Sequence, residues 1–223
     1  MHIEPGLVDG AKIALSYATA CAVGAIGLKH VVQTLRESGA ASLALRGMIA
    51  TAGIFVFFEI LPHFPVGVSE VHFILGSTLF LILGAGPAAI GLALGLLIQG
   101  LFFAPFDLPQ YGINLTTLLA PLFALHALAG RIIAPGTAYV DLKYSQALAL
   151  STAYQGGIVA WVAFWAVYGA GFEALPSVAS FGAAYMMVLL IEPLVDLAVL
   201  AGAKVLRGLQ GSVLVTARLH HAA

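Results

Sequence analysis

The sequence predicts an all-α, polytopic membrane protein: a bundle of about seven transmembrane helices in a single domain over residues 1–223. Hydrophobic residues make up 61% of the chain and charged residues only 9%, whereas soluble domains carry about 25% charge. The mean hydropathy of +1.03 agrees with this. The hydrophobic residues are grouped in runs of membrane-crossing length, which favours several spans in one bundle.

Seven hydrophobic runs, each bounded by glycine, proline or charged residues, are predicted to be helices. They cover residues 8–28, 43–62, 72–84, 87–103, 114–133, 147–169 and 180–206. The first follows Glu4 and Asp9 rather than a basic segment, which is typical of a retained helix and not of a cleaved signal. The third is too short to cross a bilayer, so we expect it to begin at depth and to line a cavity with His72 at its first turn.

The basic residues predict the orientation of the bundle. Eight of the nine lysines and arginines fall in connections on one side of the predicted membrane, and only Lys12 falls on the other. The eight are Lys29, Arg36, Arg46, Arg131, Lys143, Lys204, Arg207 and Arg218. Under the positive-inside rule the N-terminus lies outside and the C-terminus in the cytoplasm, in the inner (plasma) membrane. A net charge of −1 without a basic patch argues against nucleic acid as a partner.

Motifs that are absent from the sequence restrict the chemistry. Cys21 is the only cysteine, so an internal disulfide and a thiolate metal cluster are both excluded. The sequence has no Gly-x-x-x-x-Gly-Lys-Ser/Thr loop, no His-Glu-x-x-His and no Gly-x-Ser-x-Gly. We therefore expect a protein that is not an enzyme, with any ATP hydrolysis supplied by partner subunits.

The first two residues offer nitrogen donors for a divalent metal. The amine of Met1, the amide nitrogen of His2 and the His2 imidazole can close five- and six-membered chelate rings around one ion. A second imidazole would complete four nitrogens in a plane, a geometry that suits Ni²⁺ or Cu²⁺. We favour His72 as this ligand, because we expect it at a helix start, and keep His63 as the alternative. Glu70 is expected to attract the cation or to hydrogen-bond a ligating imidazole, or else to be solvated at the interface.

We expect three further polar residues, Ser69, Glu192 and Asp196, to have structural roles. Ser69 is expected to cap a third helix that begins at Glu70. Glu192 and Asp196 lie one helical turn apart in the last span, where an ionised carboxylate must face protein or water. We favour an ion pair between Asp196 and Arg46, and a metal or proton relay remains the alternative.

Four short motifs resemble a known family. In chain order they are Met1-His2-Ile3 with Gly6, Gly67-x-Ser69-x-x-His72-x-x-x-Gly76, Gln99-x-Leu101-Phe102-Phe103, and Gly112-x-Asn114. Together they resemble the CbiM/NikM family, the metal-binding S components of energy-coupling factor (ECF) transporters for cobalt and nickel, which are ABC transporters. The family's glycine-rich turn after Phe103 is replaced here by residues 104–110.

The resemblance implies a fold, a ligand set and partners. It implies seven spans, with the first residues inserted into the bundle so that Met1, His2 and His72 bind Co²⁺ or Ni²⁺ as the transported substrate, with no organic cofactor. Gln99 and Asn114 match family positions and are expected to hydrogen-bond the ligands. The implied partners are a transmembrane coupling (T) subunit, a cytoplasmic ATPase pair and a small accessory membrane subunit, in a setting such as cobalamin biosynthesis.

Two other functions stay open from the sequence. One is an S component that captures an organic micronutrient, which would require a larger apolar cavity. The other is an intramembrane metal-dependent hydrolase that uses His63, His72 and Glu70, which would need a third protein ligand and a general base. Nitrogen donors suit both cobalt and nickel, so the metal also stays open.

Overall fold

In the computed structural model of this chain, the described residues are 2–205. Three predictions therefore fall on residues outside this range: Met1 as a ligand, Arg207 and Arg218 as part of the basic side, and the cytoplasmic C-terminus. Four helical stretches are long and apolar enough to cross a bilayer. The prediction of an all-α, multi-pass membrane protein is confirmed at this level.

Six α-helices and one small β-hairpin make up the described chain. In order they are α1 Ile13–Phe55, β1 Phe64–Val66, β2 Ser69–Val71, α2 Gly76–Leu83, α3 Ala85–Phe102, α4 Tyr111–Ile132, α5 Tyr144–Ala170 and α6 Leu175–Val205. A π-helical turn, Val56–Ile60, extends α1. Short 3-10 turns cover Gly10–Lys12, Pro105–Gln110, Tyr139–Asp141 and Gly171–Ala174.

Helix α1 contains two arms that run in opposite directions. Gly39 has φ 79° and ψ 167°, a conformation that glycine adopts without steric cost, and it interrupts the helix. Four contacts between α1 and α3 show the reversal: Gly27 with Ala89, His30 with Gly86, Ala50 with Gly91 and Ile54 with Gly95. The first arm is therefore antiparallel to α3 and the second arm is parallel to it. The 51-residue apolar stretch Gly10–Ile60 thus holds two crossings instead of one.

The 61-residue stretch Tyr144–Lys204 also folds back on itself. Gly171, with φ 76°, interrupts it between α5 and α6. The two helices are antiparallel: Tyr185 of α6 donates to Gln155 of α5, and farther along Lys204 donates to Leu142, just before α5. With α3, α4 and the two arms of α1, the described residues contain six segments of crossing length.

Helix α2 differs from the predicted third span. The prediction covered residues 72–84, whereas the helix is Gly76–Leu83 and, at eight residues, is about 12 Å long. His72 therefore lies in the irregular segment between β2 and the helix, and the prediction that it stands at a helix start is wrong. Ser69 belongs to β2 and caps no helix, because residues 64–71 pair as a hairpin around Gly67, which has φ 63°.

The polar residues of the spans also correct one prediction. Arg46 donates a hydrogen bond from Nη1 to the carbonyl oxygen of Leu83 at 2.9 Å. Asp196 instead accepts from the hydroxyls of Ser77 and Thr78. The predicted ion pair between Asp196 and Arg46 is therefore wrong, because hydroxyls of α2 already satisfy that carboxylate.

Candidate metal-binding site

The N-terminal segment pairs with the β-hairpin as an added strand. The carbonyl oxygen of His2 accepts from the Glu70 amide at 3.1 Å and from the Ser69 hydroxyl at 2.8 Å. The Glu4 amide donates to the carbonyl oxygen of Val68 at 3.0 Å. These hydrogen bonds carry the second residue of the chain into the bundle and fix its backbone beside the segment that leads to His72.

Side chains of α4 and of the turn before it hold the same segment from the other side. The amide of Ile3 donates to Oδ1 of Asn114 at 3.0 Å. Gln110 donates from Nε2 to the carbonyl oxygen of Glu4 at 3.2 Å. Asn114 thus touches the residue next to His2, and its buried Nδ2 makes no hydrogen bond within the described residues.

Gln99 determines which nitrogen of His2 carries the proton. Its Nε2 donates to the carbonyl oxygen of Phe58 at 3.2 Å, which fixes the orientation of the amide. Its Oε1 therefore faces Nε2 of His2, at 2.7 Å, and a carbonyl oxygen can only accept. Nε2 of His2 must then be the donor, and Nδ1 is the nitrogen that keeps a lone pair in the neutral ring.

Nδ1 of His2 faces the carboxylate of Asp107. The two atoms Nδ1 and Oδ2 lie 3.0 Å apart, and their alignment is not that of a hydrogen bond. His2 is 3% exposed and Asp107 5% exposed, so water does not screen the pair. A nitrogen lone pair and a carboxylate oxygen at this distance repel each other, whereas a positive charge at Nδ1, either a proton on His2 or a metal ion, makes the contact favourable.

Sequence reasoning did not select Asp107. It lies in the turn Pro105–Gln110, within the stretch that replaces the family's glycine-rich turn. The available signal was a single carboxylate in an apolar connection between Pro105 and Pro109. Such a residue either reaches solvent or enters the protein, and sequence alone does not separate the two.

His72 and Glu70 complete a group of possible ligands with His2. One ligand atom of each residue lies within 4.8 Å of the others; we call these three residues the ligand cluster. The rings of His2 and His72 have centroids 6.1 Å apart, and Phe58 packs edge-on against His72 at 4.7 Å. Metal–nitrogen bonds of about 2.1 Å place opposite ligands about 4 Å apart, so a small contraction would bring the cluster to coordination distance.

The remaining predicted site residue lies apart. His63 is half-buried in the loop before β1, and its Nδ1 lies 3.3 Å from the carbonyl oxygen of Leu61. Among residues 2–205 it belongs to no group of three potential ligands. The structure thus places His72, and not His63, beside His2.

Comparison with known proteins gives one result. A family model described as CbiM, cobalt uptake substrate-specific transmembrane region, matches residues 2–208. No curated protein and no solved structure gives a significant match. The matched range includes His2 and the whole of the described chain.

Proposed function

The chain belongs to the CbiM family of cobalt uptake substrate-specific transmembrane regions, and from this premise we propose that it captures a divalent cobalt or nickel ion for an ECF-type transporter. The observation that carries the proposal is the convergence of the buried His2 and His72 with the half-buried Glu70. Buried imidazole nitrogens with carboxylates beside them are donors that transition-metal ions prefer.

The tautomer of the His2 ring supports a chelate through the N-terminus. Covalent geometry lets Nδ1, and not Nε2, close a six-membered ring with the amide nitrogen of the same residue. Gln99 leaves the lone pair on that same Nδ1. The amine of Met1 would close the adjoining five-membered ring and His72 would supply the fourth nitrogen. Asp107 adds negative charge beside Nδ1, which favours the metal-bound state.

The distribution of charge supports entry of the ion from outside. At the end of the bundle that holds the ligand cluster, the only described lysine or arginine is Lys12, which donates to the carbonyl oxygen of Gly169. The other six described basic residues lie along the half of the bundle that contains Gly39, Leu83 and Leu142. The positive-inside rule then assigns the ligand cluster to the external side.

Transport needs partners in this proposal. The family is one of transporter components and not of enzymes. A transmembrane coupling subunit and a cytoplasmic ATPase pair would power inward release, and a small accessory membrane subunit would assist. The hydrolase alternative is weakened by His63, which it requires as a ligand and which lies outside the cluster.

Metal analysis of the purified protein tests the proposal. The protein is produced with a free Met1 amine, loaded with Co²⁺ or Ni²⁺ in separate samples, desalted and measured by elemental analysis, with calorimetric titration for affinity. We expect about one tightly held ion per chain. Protein that retains neither ion would overturn the proposal, and a co-purified organic compound in its place would favour micronutrient capture.

A further inference from the structure

A buried carboxylate on α6 holds the backbone between the hairpin and α2. Glu192 is fully buried, and each of its oxygens accepts from a different main-chain amide of this segment. Oε2 accepts from Ile74 at 2.9 Å and Oε1 accepts from Leu75 at 2.7 Å. These amides lie two and three residues after His72, directly before α2.

The held segment is strained. Leu75 has φ 51° and ψ 30°, the left-handed region, and it is the only residue other than glycine with a positive φ in the described chain. A leucine in this conformation needs surrounding structure to keep it there. We call residues 73–75 the elbow. The two amides that Glu192 binds belong to the elbow, so the carboxylate stabilises the backbone turn that aims His72 at His2.

The neighbouring carboxylate holds a different part of the chain. Asp196 lies one turn further along α6 and accepts from the hydroxyls of Ser77 and Thr78, in the first turn of α2. Glu192 is in turn oriented by Gln155, which donates to it. The two carboxylates thus are similarly buried, yet only Glu192 contacts the elbow.

We propose that Glu192 is a positioning residue for metal capture, acting on the ion through the elbow and His72. The proposal rests on the proposed function, since the position of an imidazole matters to binding only if that imidazole ligates. It assigns to α6 a direct influence on the ligand cluster, although Glu192 itself does not touch the ion.

The test compares Glu192→Gln with Asp196→Asn in protein that carries a free Met1 amine. A glutamine at 192 turns one oxygen into an NH₂ group, which faces a backbone N–H and loses at least one of the two bonds. Titration with Ni²⁺ should show an affinity about tenfold or more below wild type, as for other residues that orient metal ligands. The Ni²⁺ ligand-field spectrum should shift towards that of His72→Ala. Asp196→Asn should lower the melting temperature while leaving Ni²⁺ affinity and spectrum near wild type.

A double-mutant cycle separates positioning from general weakening of the fold. If Glu192 acts through His72, Glu192→Gln should cause little further loss of Ni²⁺ affinity in a His72→Ala background. An equal loss in both backgrounds, or wild-type affinity and spectrum in Glu192→Gln, would overturn the proposal. An equal loss from Asp196→Asn would do the same.

Two features keep the outcome readable. If Glu192→Gln does not yield folded protein, Glu192→Asp replaces it, because the shorter side chain keeps the charge but does not reach both amides; the same results are expected and the same ones contradict. Wild-type protein that binds neither Ni²⁺ nor Co²⁺ would contradict the proposed function. If wild-type protein binds the ion and the Glu192 variant binds it equally well, only the positioning role is contradicted.

Discussion

The bundle buries two polar clusters that differ in how fully their atoms are hydrogen-bonded. In the carboxylate cluster, which is Glu192 and Asp196, all four oxygens accept from amides or hydroxyls of the segment around α2. In the ligand cluster, Nδ1 of His2 has a carboxylate oxygen of Asp107 beside it and no hydrogen bond. The first cluster is complete as it stands, whereas the second has a place for positive charge beside Nδ1, which either a proton on His2 or a bound metal ion would fill.

This difference in hydrogen bonding distinguishes a cluster that stabilises the fold from a cluster that is suited to bind a ligand. Buried polar groups in proteins are almost always hydrogen-bonded, and a fully satisfied network makes the surrounding structure rigid and specific. A buried lone pair that faces another hydrogen-bond acceptor destabilises the folded protein. Such an arrangement persists where a bound ligand offsets the destabilisation. Mutations in the ligand cluster should therefore change metal affinity more than stability, and mutations in Asp196 should do the reverse.

The largest effect on affinity is expected from the N-terminus itself. Adding residues before Met1 turns its amine into an amide and removes one donor, and His2→Ala removes another. Each change should abolish high-affinity binding of Co²⁺ and Ni²⁺ in calorimetric titrations, because a chelate loses its rings together with its donor. The melting temperature should change little.

The matched control for the extension is the same peptide added after Ala223. That form should bind as tightly as wild type. Equal affinity of the two extended forms would show that no free amine is involved, and would leave the ligand cluster without its chelate.

The second largest effect should come from His72→Ala, with His63→Ala as its matched control. The structure places His72 in the ligand cluster and His63 outside it. We expect His72→Ala to lose most of the Ni²⁺ affinity and His63→Ala to retain it. The reverse pattern would mean that the loop before β1 closes over the ion and that the described arrangement is not the binding one.

Sequence reasoning succeeded where covalent geometry or composition decides. The low charge content and the hydrophobic runs fixed the membrane class, and the shortness of the third run indicated an element that does not cross. A chelate at the chain start needs one more imidazole, and the choice of His72 as the ligand that joins His2 stays a prediction. In the structure the ring centroids of His2 and His72 lie 6.1 Å apart, and Met1 lies outside the described residues.

Sequence reasoning failed where a tertiary contact overrides the local pattern. Residues 72–75 continue a hydrophobic run, which predicts a helix, but Glu192, far along the chain, accepts from the amides of Ile74 and Leu75 and holds Leu75 in a left-handed turn. The same reach across the sequence hid Asp107, which is recognisable only once His2 lies beside it. Pairing of residues 2–4 with the hairpin was likewise invisible, because two short strands carry little periodicity.

A smaller effect should follow from Gln99→Ala, which acts on the His2 ring and leaves all proposed ligands in place. Without the acceptor at Nε2, the proton can move to Nδ1 and compete with the ion. Loss of such an orienting partner usually costs about 10- to 100-fold in metal affinity. Calorimetric titration with Ni²⁺ checks this value.

Gln33→Ala is a suitable control for that substitution, since the exposed Gln33 side chain donates to Glu37 on its own helix, α1. It should leave affinity unchanged. If Gln99→Ala bound as tightly as the control variant, the tautomer argument would fail, and the lone pair on Nδ1 would have to be explained without Gln99.

The smallest effect is expected from Ser69→Ala, which removes the hydroxyl that donates to the carbonyl oxygen of His2 at 2.8 Å. The Glu70 amide still donates to the same oxygen, so the backbone of His2 keeps one of its two bonds. A single hydrogen bond contributes about 1 kcal/mol, which corresponds to roughly a fivefold loss of affinity if it stabilises only the bound geometry. Ser180→Ala, which removes an exposed hydroxyl bonded to Pro176, is the matched control for titration. A loss from Ser69→Ala as large as that from Gln99→Ala would mean that the hairpin, and not the His2 ring, limits the fit of the ion.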